Sequence, residues 1–239
     1  MPRVFDSLFD DIEHKFELSL SSHVRNVLIR HLELVVEKNK MLNLTRITDM
    51  SEAMVLHVED SLSAFHELAS APEGRYCDIG TGAGFPGVPL AVVSERPTLL
   101  DDSSKKKAQS VREFVRELNL DSYVSVSNLR AEDLAREQVE IFSAITMRAV
   151  AQLPSLIELA CPLLSVGGLF IALKANPTQQ EIKSGNSVAE KVGMRLRSSR
   201  KVILGNDEYQ RLILTYEKID HAPSFLPRRN GLAQKRPLA

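Results

Sequence analysis

The sequence has no apolar run near the roughly 20 residues that a bilayer-spanning helix needs. Its start, MPRVFDSLFDDIEHKFELSL, carries acids throughout and lacks a continuous apolar segment. No signal peptide is expected there, and the expected location is the cytoplasm. The Asn43–Thr45 sequon then carries no meaning, because glycosylation requires secretion. Cysteine is scarce: Cys77 and Cys161 form no CxxC pair and lie in apolar segments, so two reduced, buried thiols are expected. Without paired cysteines, the six scattered histidines give no zinc spacing, and no metal is expected. An excess of one charge is also missing. The net charge is −1, which excludes a global basic field.

What is present is ordinary for a soluble globular protein, with 44% hydrophobic and 26% charged residues. The 239 residues suffice for one large α/β domain and an appendage. From about Phe5 to Leu68 the pattern is helical. Val24, Val27, Leu28, Leu32, Val35 and Val36 follow a period near 3.6, with Ser21 or Ser22 as N-cap and Ser51 capping a later helix. This is read as an N-terminal helical cap, residues 1–70.

From Arg75 the rhythm becomes strand–helix alternation. The expected strands are Tyr76–Ile79, Thr98–Leu100, Val124–Val126, Ala144–Thr146, Gly168–Leu173, Lys201–Leu204 and Arg211–Tyr216. The expected helices are Gly87–Val93, Ser103–Leu118, Gln152–Leu164 and Thr178–Val192. Such alternation predicts an α/β fold, a largely parallel seven-stranded sheet with helices on both faces. The short link GNDEY joins the last two strands as an antiparallel hairpin. The tail 220–239 contains Arg228, Arg229, Lys235 and Arg236. It is either a solvated end or an arm for a polyanion such as RNA.

The stretch YCDIGTGAGFPGVPLAVV carries the chemistry. GAGFPG, Gly82 to Gly87, satisfies the dinucleotide pattern G-x-G-x-x-G, a weak match alone. Asp78, two residues before Gly80, would repel a pyrophosphate but suits the sulfonium and ammonium of S-adenosylmethionine (SAM). Gly80 would let the methionine part approach the backbone. Asp101, at the end of the second strand, is placed to accept ribose hydroxyls, although the neighbouring Asp102 leaves the register open. Ala131 and Glu132 follow the third strand, where backbone groups could meet adenine; RAEDLA reads equally well as a helix start. No Lys-Ser/Thr follows the glycines, so the loop is not a Walker A motif.

The chain resembles the RsmG (GidB) family, which methylates N7 of a guanine in 16S rRNA. The resemblance rests on NKMLNLTRITD, HVEDSL, DIGTGAGFPGVPLAVV, LLDDSSKKK, RAED, MRAVAQL, GGLFIALKA and PRRNGLAQKRPL, nearly the whole chain. It implies a class I SAM-dependent methyltransferase fold, Rossmann-like, over residues 71–219, with SAM as cofactor and 16S rRNA or the small ribosomal subunit as partner. It also implies cofactor contacts at Gly80, Phe85, Ala131, Glu132 and Arg148; Asp78, Gly82 and Asp101 complete the expected set. The family usually reads Ser-Arg-Ala at Met147–Ala149, and often Lys-Gly at Lys174 and Ala175.

Guanine N7 carries no proton, so no catalytic acid or base is assigned. Arg148 is a candidate for the cofactor carboxylate, an RNA phosphate or the guanine edge, or is a structural ion pair. Lys174 and Lys105–Lys107 are candidate phosphate contacts, with ion pairing and a solvated helix face as the alternatives. His57, Asp60 and Ser61 lie on one side of one helix and are read as packing that borders the target pocket. Oligomeric state is left open, a monomer being favoured. Three other readings stay open: a class I methyltransferase with another substrate, an NAD-dependent oxidoreductase, and a noncatalytic ribosome-binding module.

Overall fold

The computed structural model describes residues 5–205 and 208–238. The outer ends of the expected cap and tail, and Asn206 and Asp207 of the hairpin link, lie outside the described residues. Before the sheet come α1 (Asp6–Phe16), α2 (Ser22–Leu42), α3 (Met50–Ala53), a π-helical stretch (Met54–Glu59), α4 (Asp60–Leu62) and α5 (Phe65–Ala69). Ser21 caps α2 by accepting from the Val24 N–H. Asp49, not Ser51, caps α3, accepting from the Glu52 N–H at 2.8 Å. The backbone is extended at Asp49, and its carboxylate reaches the first turn two residues earlier than expected.

The alternating part runs β1 (Arg75–Ile79), α6 (Gly87–Ser94), β2 (Thr98–Asp101), α7 (Lys105–Glu117), β3 (Val124–Ser127), α8 (Ala131–Glu137) and β4 (Phe142–Arg148). It continues through α9 (Leu153–Ala160), β5 (Leu164–Lys174), α10 (Gln179–Lys191), β6 (Met194–Leu204) and β7 (Tyr209–Lys218), with α11 (Leu232–Lys235) in the tail. The sheet order is β3-β2-β1-β4-β5-β7-β6. Strands β1 to β5 pair parallel, and β7 pairs antiparallel with both β5 and β6. The expected hairpin is present, with its second strand inserted against β5.

Two expected boundaries shift for physical reasons. Helix α9 ends at Ala160, because Pro162 cannot continue it, and Leu164 opens β5 instead. Strand β6 has eleven residues where only its last four were expected. Its residues Arg195 to Ser199 are exposed on an edge strand, so they show no apolar alternation.

Each sheet face carries one apolar cluster. Phe9, Leu28 and Leu62 from the helices before β1 share a core with Tyr76, Leu100 and Leu169. Ile79, Leu134, Leu156, Val188 and the tail's Ala233 form the other. Among the described residues, no helix is long and apolar enough to cross a membrane. The chain reverses direction across the sheet between β1 and β4. A crevice opens there at the carboxyl ends of the strands, the usual ligand position in such sheets.

Candidate active site

The loop after β1 is folded by its own backbone. Gly80 and Thr81 N–H groups donate to the Asp101 carbonyl at 2.8 and 3.0 Å, and those of Gly84 and Phe85 to the Thr81 carbonyl. Gly80 has φ +73°, and a Cβ there would lie 2.4 Å from Cγ2 of Val150. Any side chain would therefore collide with the segment after β4.

Asp78 does not face the crevice, contrary to the expectation from its place beside Gly80. It is fully buried beneath the loop. Its Oδ2 accepts from the Gly87 N–H at 2.9 Å, and its Oδ1 from the Thr146 hydroxyl at 2.7 Å. The Tyr76 hydroxyl, 2.6 Å from Thr146 Oγ1, extends the chain of bonds. In β1, Tyr76 and Asp78 share one parity, Cys77 and Ile79 the other. Strand alternation thus turns Asp78 toward α6. Burial pushes its carboxyl up to about 6, against the lowering effect of its hydrogen-bond donors and Arg148.

One cleft lies on the Ile79 side. Gly80, Asp101, Leu129, Ala131, Glu132 and Val150 line it. Asp101 accepts from the Leu129 N–H at 3.2 Å, and burial raises its carboxyl to about 6. Asp102 instead bonds the backbone on either side. Its Oδ2 accepts from the Gly82 N–H and its Oδ1 from the Ser104 N–H, both at 2.9 Å. The paired acids thus divide between lining the cleft and pinning the loop, and Gly82 belongs to the pinned loop. Helix α8 starts at Ala131 with no side-chain cap from Arg130, leaving its first-turn N–H groups for another partner.

The second cleft lies across the Arg148–Val150 segment, bounded by His57, Asp60, Arg148, Ala149, Lys174 and Arg211. Ala149 separates the two clefts in a left-handed conformation, φ +57°. Arg148 Nη1 donates to Asp60 Oδ2 at 2.8 Å and to the Leu56 carbonyl at 3.1 Å. Arg211 Nε reaches the other Asp60 oxygen at 3.1 Å. Phe85 is buried away from the first cleft. Its ring stacks on His57 at 4.5 Å with a 10° tilt, meets His31 at 4.5 Å, and lies 5.8 Å from the Arg148 guanidinium. Burial, with Arg148 nearby, lowers His57 to about 3, and burial lowers His31 to about 4. Both rings are neutral near pH 7.

Two candidate phosphate ligands are engaged inside the protein. Lys174 pairs with Glu181 at 2.7 Å and donates to the Ala151 carbonyl. Arg228 forks onto Glu158 at 2.5 and 2.6 Å. His57, Asp60 and Ser61 form no triad: His57 meets Thr45, Asp60 the two arginines, and Ser61 the His57 carbonyl. Sequence reasoning missed Val150, Arg211 and the tail's Gln234, which lines the first cleft. Val150 and Gln234 stand inside the family-like stretches MRAVAQL and PRRNGLAQKRPL but were not singled out there, and Arg211 stands in none of those stretches.

Solved structures share the architecture. A geranyl diphosphate methyltransferase in complex with SAM superposes with a TM-score of 0.53 at 12% identity, over 66% of this chain and 84% of that one. The YcgJ protein from Bacillus subtilis gives a TM-score of 0.54 at 13% identity, over 69% and 100%. The fold is therefore the class I, Rossmann-like methyltransferase fold. Sequence relatives are nearer. Ribosomal RNA small subunit methyltransferase G of Geobacillus kaustophilus (strain HTA426) is 38% identical, covering 92% of this chain and 93% of its own length. Its namesake in Carboxydothermus hydrogenoformans is 36% identical over 94% and 96%. The family model described as rRNA small subunit methyltransferase G matches residues 25–208. The chain belongs to this family, GidB.

Proposed function

We propose that this enzyme transfers a methyl group from SAM to N7 of a guanine in 16S rRNA, with adenosine in the first cleft and the target base in the second. The observation that carries the reading is the pair of clefts adjoining at the Arg148–Val150 segment. The first fits an adenosine by its chemistry. Ile79, Leu129 and Val150 offer apolar walls for a base, Asp101 an acceptor for ribose hydroxyls, and the uncapped start of α8 donors for ring nitrogens. SAM supplies a methyl group activated by its sulfonium.

The protein's part is alignment. Guanine N7 presents a lone pair and no proton, so no general base is required. Holding N7 in line with the methyl is what the second cleft must do. Arg148 is fixed through Nη1; among the described residues no acceptor engages its Nη2. That amino group is available to the guanine O6 or a flanking phosphate. Methylation leaves the base cationic. Asp60, between the two arginines, offsets one of their two charges, and neutral His57 adds none. The target base must be unpaired or turned out to enter. Like its bacterial relatives it would act on ribosomes, which places it in the cytoplasm.

The test is transfer from labelled SAM to small-subunit RNA, both naked and assembled, with the modified base mapped. Label at N7 of one guanine is expected. Label on another atom, or none on rRNA in either form, overturns the proposal.

A further inference from the structure

The C-terminal tail was expected to be a solvated end or an arm for RNA. It is neither free nor extended. Arg228, the first of its basic residues, spends its fork on Glu158, which is 2% exposed, and also donates to the Arg236 carbonyl. Ser155 donates to the Ala233 carbonyl at 2.8 Å, and Ala233 is buried in the core against α9. Lys191 holds the Leu238 carbonyl.

Further anchors fall on α8, beside the cofactor cleft. The Gly231 N–H donates to Glu132 Oε1 at 2.6 Å, and Asn230 to Asp133 at 2.7 Å. Both acids lie in the first turn of α8, whose backbone the adenine is read to meet. Gln234 lines the cleft together with Gly80, Asp101 and Ala131.

We propose that the tail, residues 222–238, is a wall of the SAM cleft, with Gln234 contacting the adenosine and tail docking coupled to cofactor binding. The inference rests on reading the first cleft as the cofactor's. A carboxamide carries both a donor and an acceptor, which suits the amino group and ring nitrogens of adenine or the ribose hydroxyls. Coupling follows because one residue, Glu132, serves both partners: its side chain holds the tail, its backbone the ligand. A cofactor that fixes α8 must favour the docked tail, and a docked tail must favour the cofactor to the same degree.

The experiment measures S-adenosylhomocysteine binding by calorimetry. Gln234→Ala is expected to weaken it about threefold or more with an unchanged melting temperature, and Arg228→Ala about tenfold. Hydrogen exchange across residues 229–236 should slow when the ligand binds. Asp101→Ala serves as the control on the cleft itself. If it loses affinity while Gln234→Ala and Arg228→Ala bind as wild type and exchange in the tail is unaltered, the tail inference is wrong and the cleft reading stands. If Asp101→Ala binds as wild type, the cleft reading fails and takes the tail with it. Should Arg228→Ala not fold, Gln234→Ala and the exchange measurement decide.

Discussion

At the scale of residues, Asp78 and Gly87 act as a pair. The carboxylate caps the start of α6 through the Gly87 N–H, and it can approach only because Gly87 has no side chain. A Cβ at Gly87 would meet Leu100 Cδ2 at 2.3 Å and Asp78 Oδ2 at 2.7 Å. Gly87→Ala should therefore destabilise the protein by about 1–3 kcal/mol, the range of overpacked core sites, measurable by denaturant unfolding. His57 permits a second prediction. Its ring pKa falls from 6.5 to about 3, so the folded state resists protonation. Its stability contribution is complete above pH 6.5 and is lost as pH falls toward 3. Asp78 and Asp101, raised to about 6, work oppositely, costing stability as pH rises from 3.8 to 6. Because they mask the histidine in wild type, the comparison must be differential. The gap in melting temperature between wild type and His57→Gln should narrow as pH drops from about 7 to about 4. A constant gap would mean that no buried neutral imidazole contributes.

At the scale of elements, what the sequence disclosed depends on burial and neighbours. Strands β1, β2 and β4 were readable because parallel strands covered on both faces become nearly continuous apolar runs. Strand order then brought Gly80, Asp101, Ala131 and Glu132 to one cleft from residue positions alone. The direction of a side chain was harder to read. Asp78 belongs to the loop's underside by strand parity, and Phe85 is captured by two histidines from helices distant in sequence. Helix α11 has four residues, too few for periodicity, and is fixed by contacts with α8 and α9. Asp60 likewise draws its role from partners far along the chain, tying α4 to both β4 and β7 through two arginines. Asp60→Asn keeps the shape but weakens the hold on Arg148. Its methylation of rRNA should fall about tenfold to a hundredfold, as expected for a misplaced orienting group. Its affinity for S-adenosylhomocysteine should change less than about threefold. Equal losses in both would make Asp60 a general fold determinant instead.

At the scale of the whole molecule, the end of the sheet opposite the clefts controls where the tail departs. Lys218 closes β7 and is fully buried. Its ammonium donates to Glu140 at 2.6 Å and to the Cys161 and Leu164 carbonyls at 2.7 Å. Glu140 in turn accepts from the Ala222 N–H and meets the His221 ring, both at 2.7 Å, so one carboxylate joins β7, the turn before β4 and the first residues of the tail. Removing the ammonium leaves that carboxylate and two carbonyls without their donor. Lys218→Met should cost about 3–5 kcal/mol, as when one partner of a buried pair is deleted. Glu140 separates this electrostatic contribution from mere packing. Burial would raise its pKa, but the Ala222 N–H, Lys218 and His221 outweigh that and hold it at about 2, below the ordinary 4.5. Its stabilisation, at most about 3 kcal/mol by linkage, is complete above pH 4.5 and disappears as pH falls through 2. Glu140→Gln should therefore melt well below wild type at about pH 7, with the difference closing between pH 4.5 and 2. Because Glu140 orients the start of the tail, the same variant at neutral pH should also exchange amide hydrogens faster across residues 229–236. A melting deficit that persisted unchanged to about pH 2 would assign the loss to packing and sever the base of the sheet from the tail.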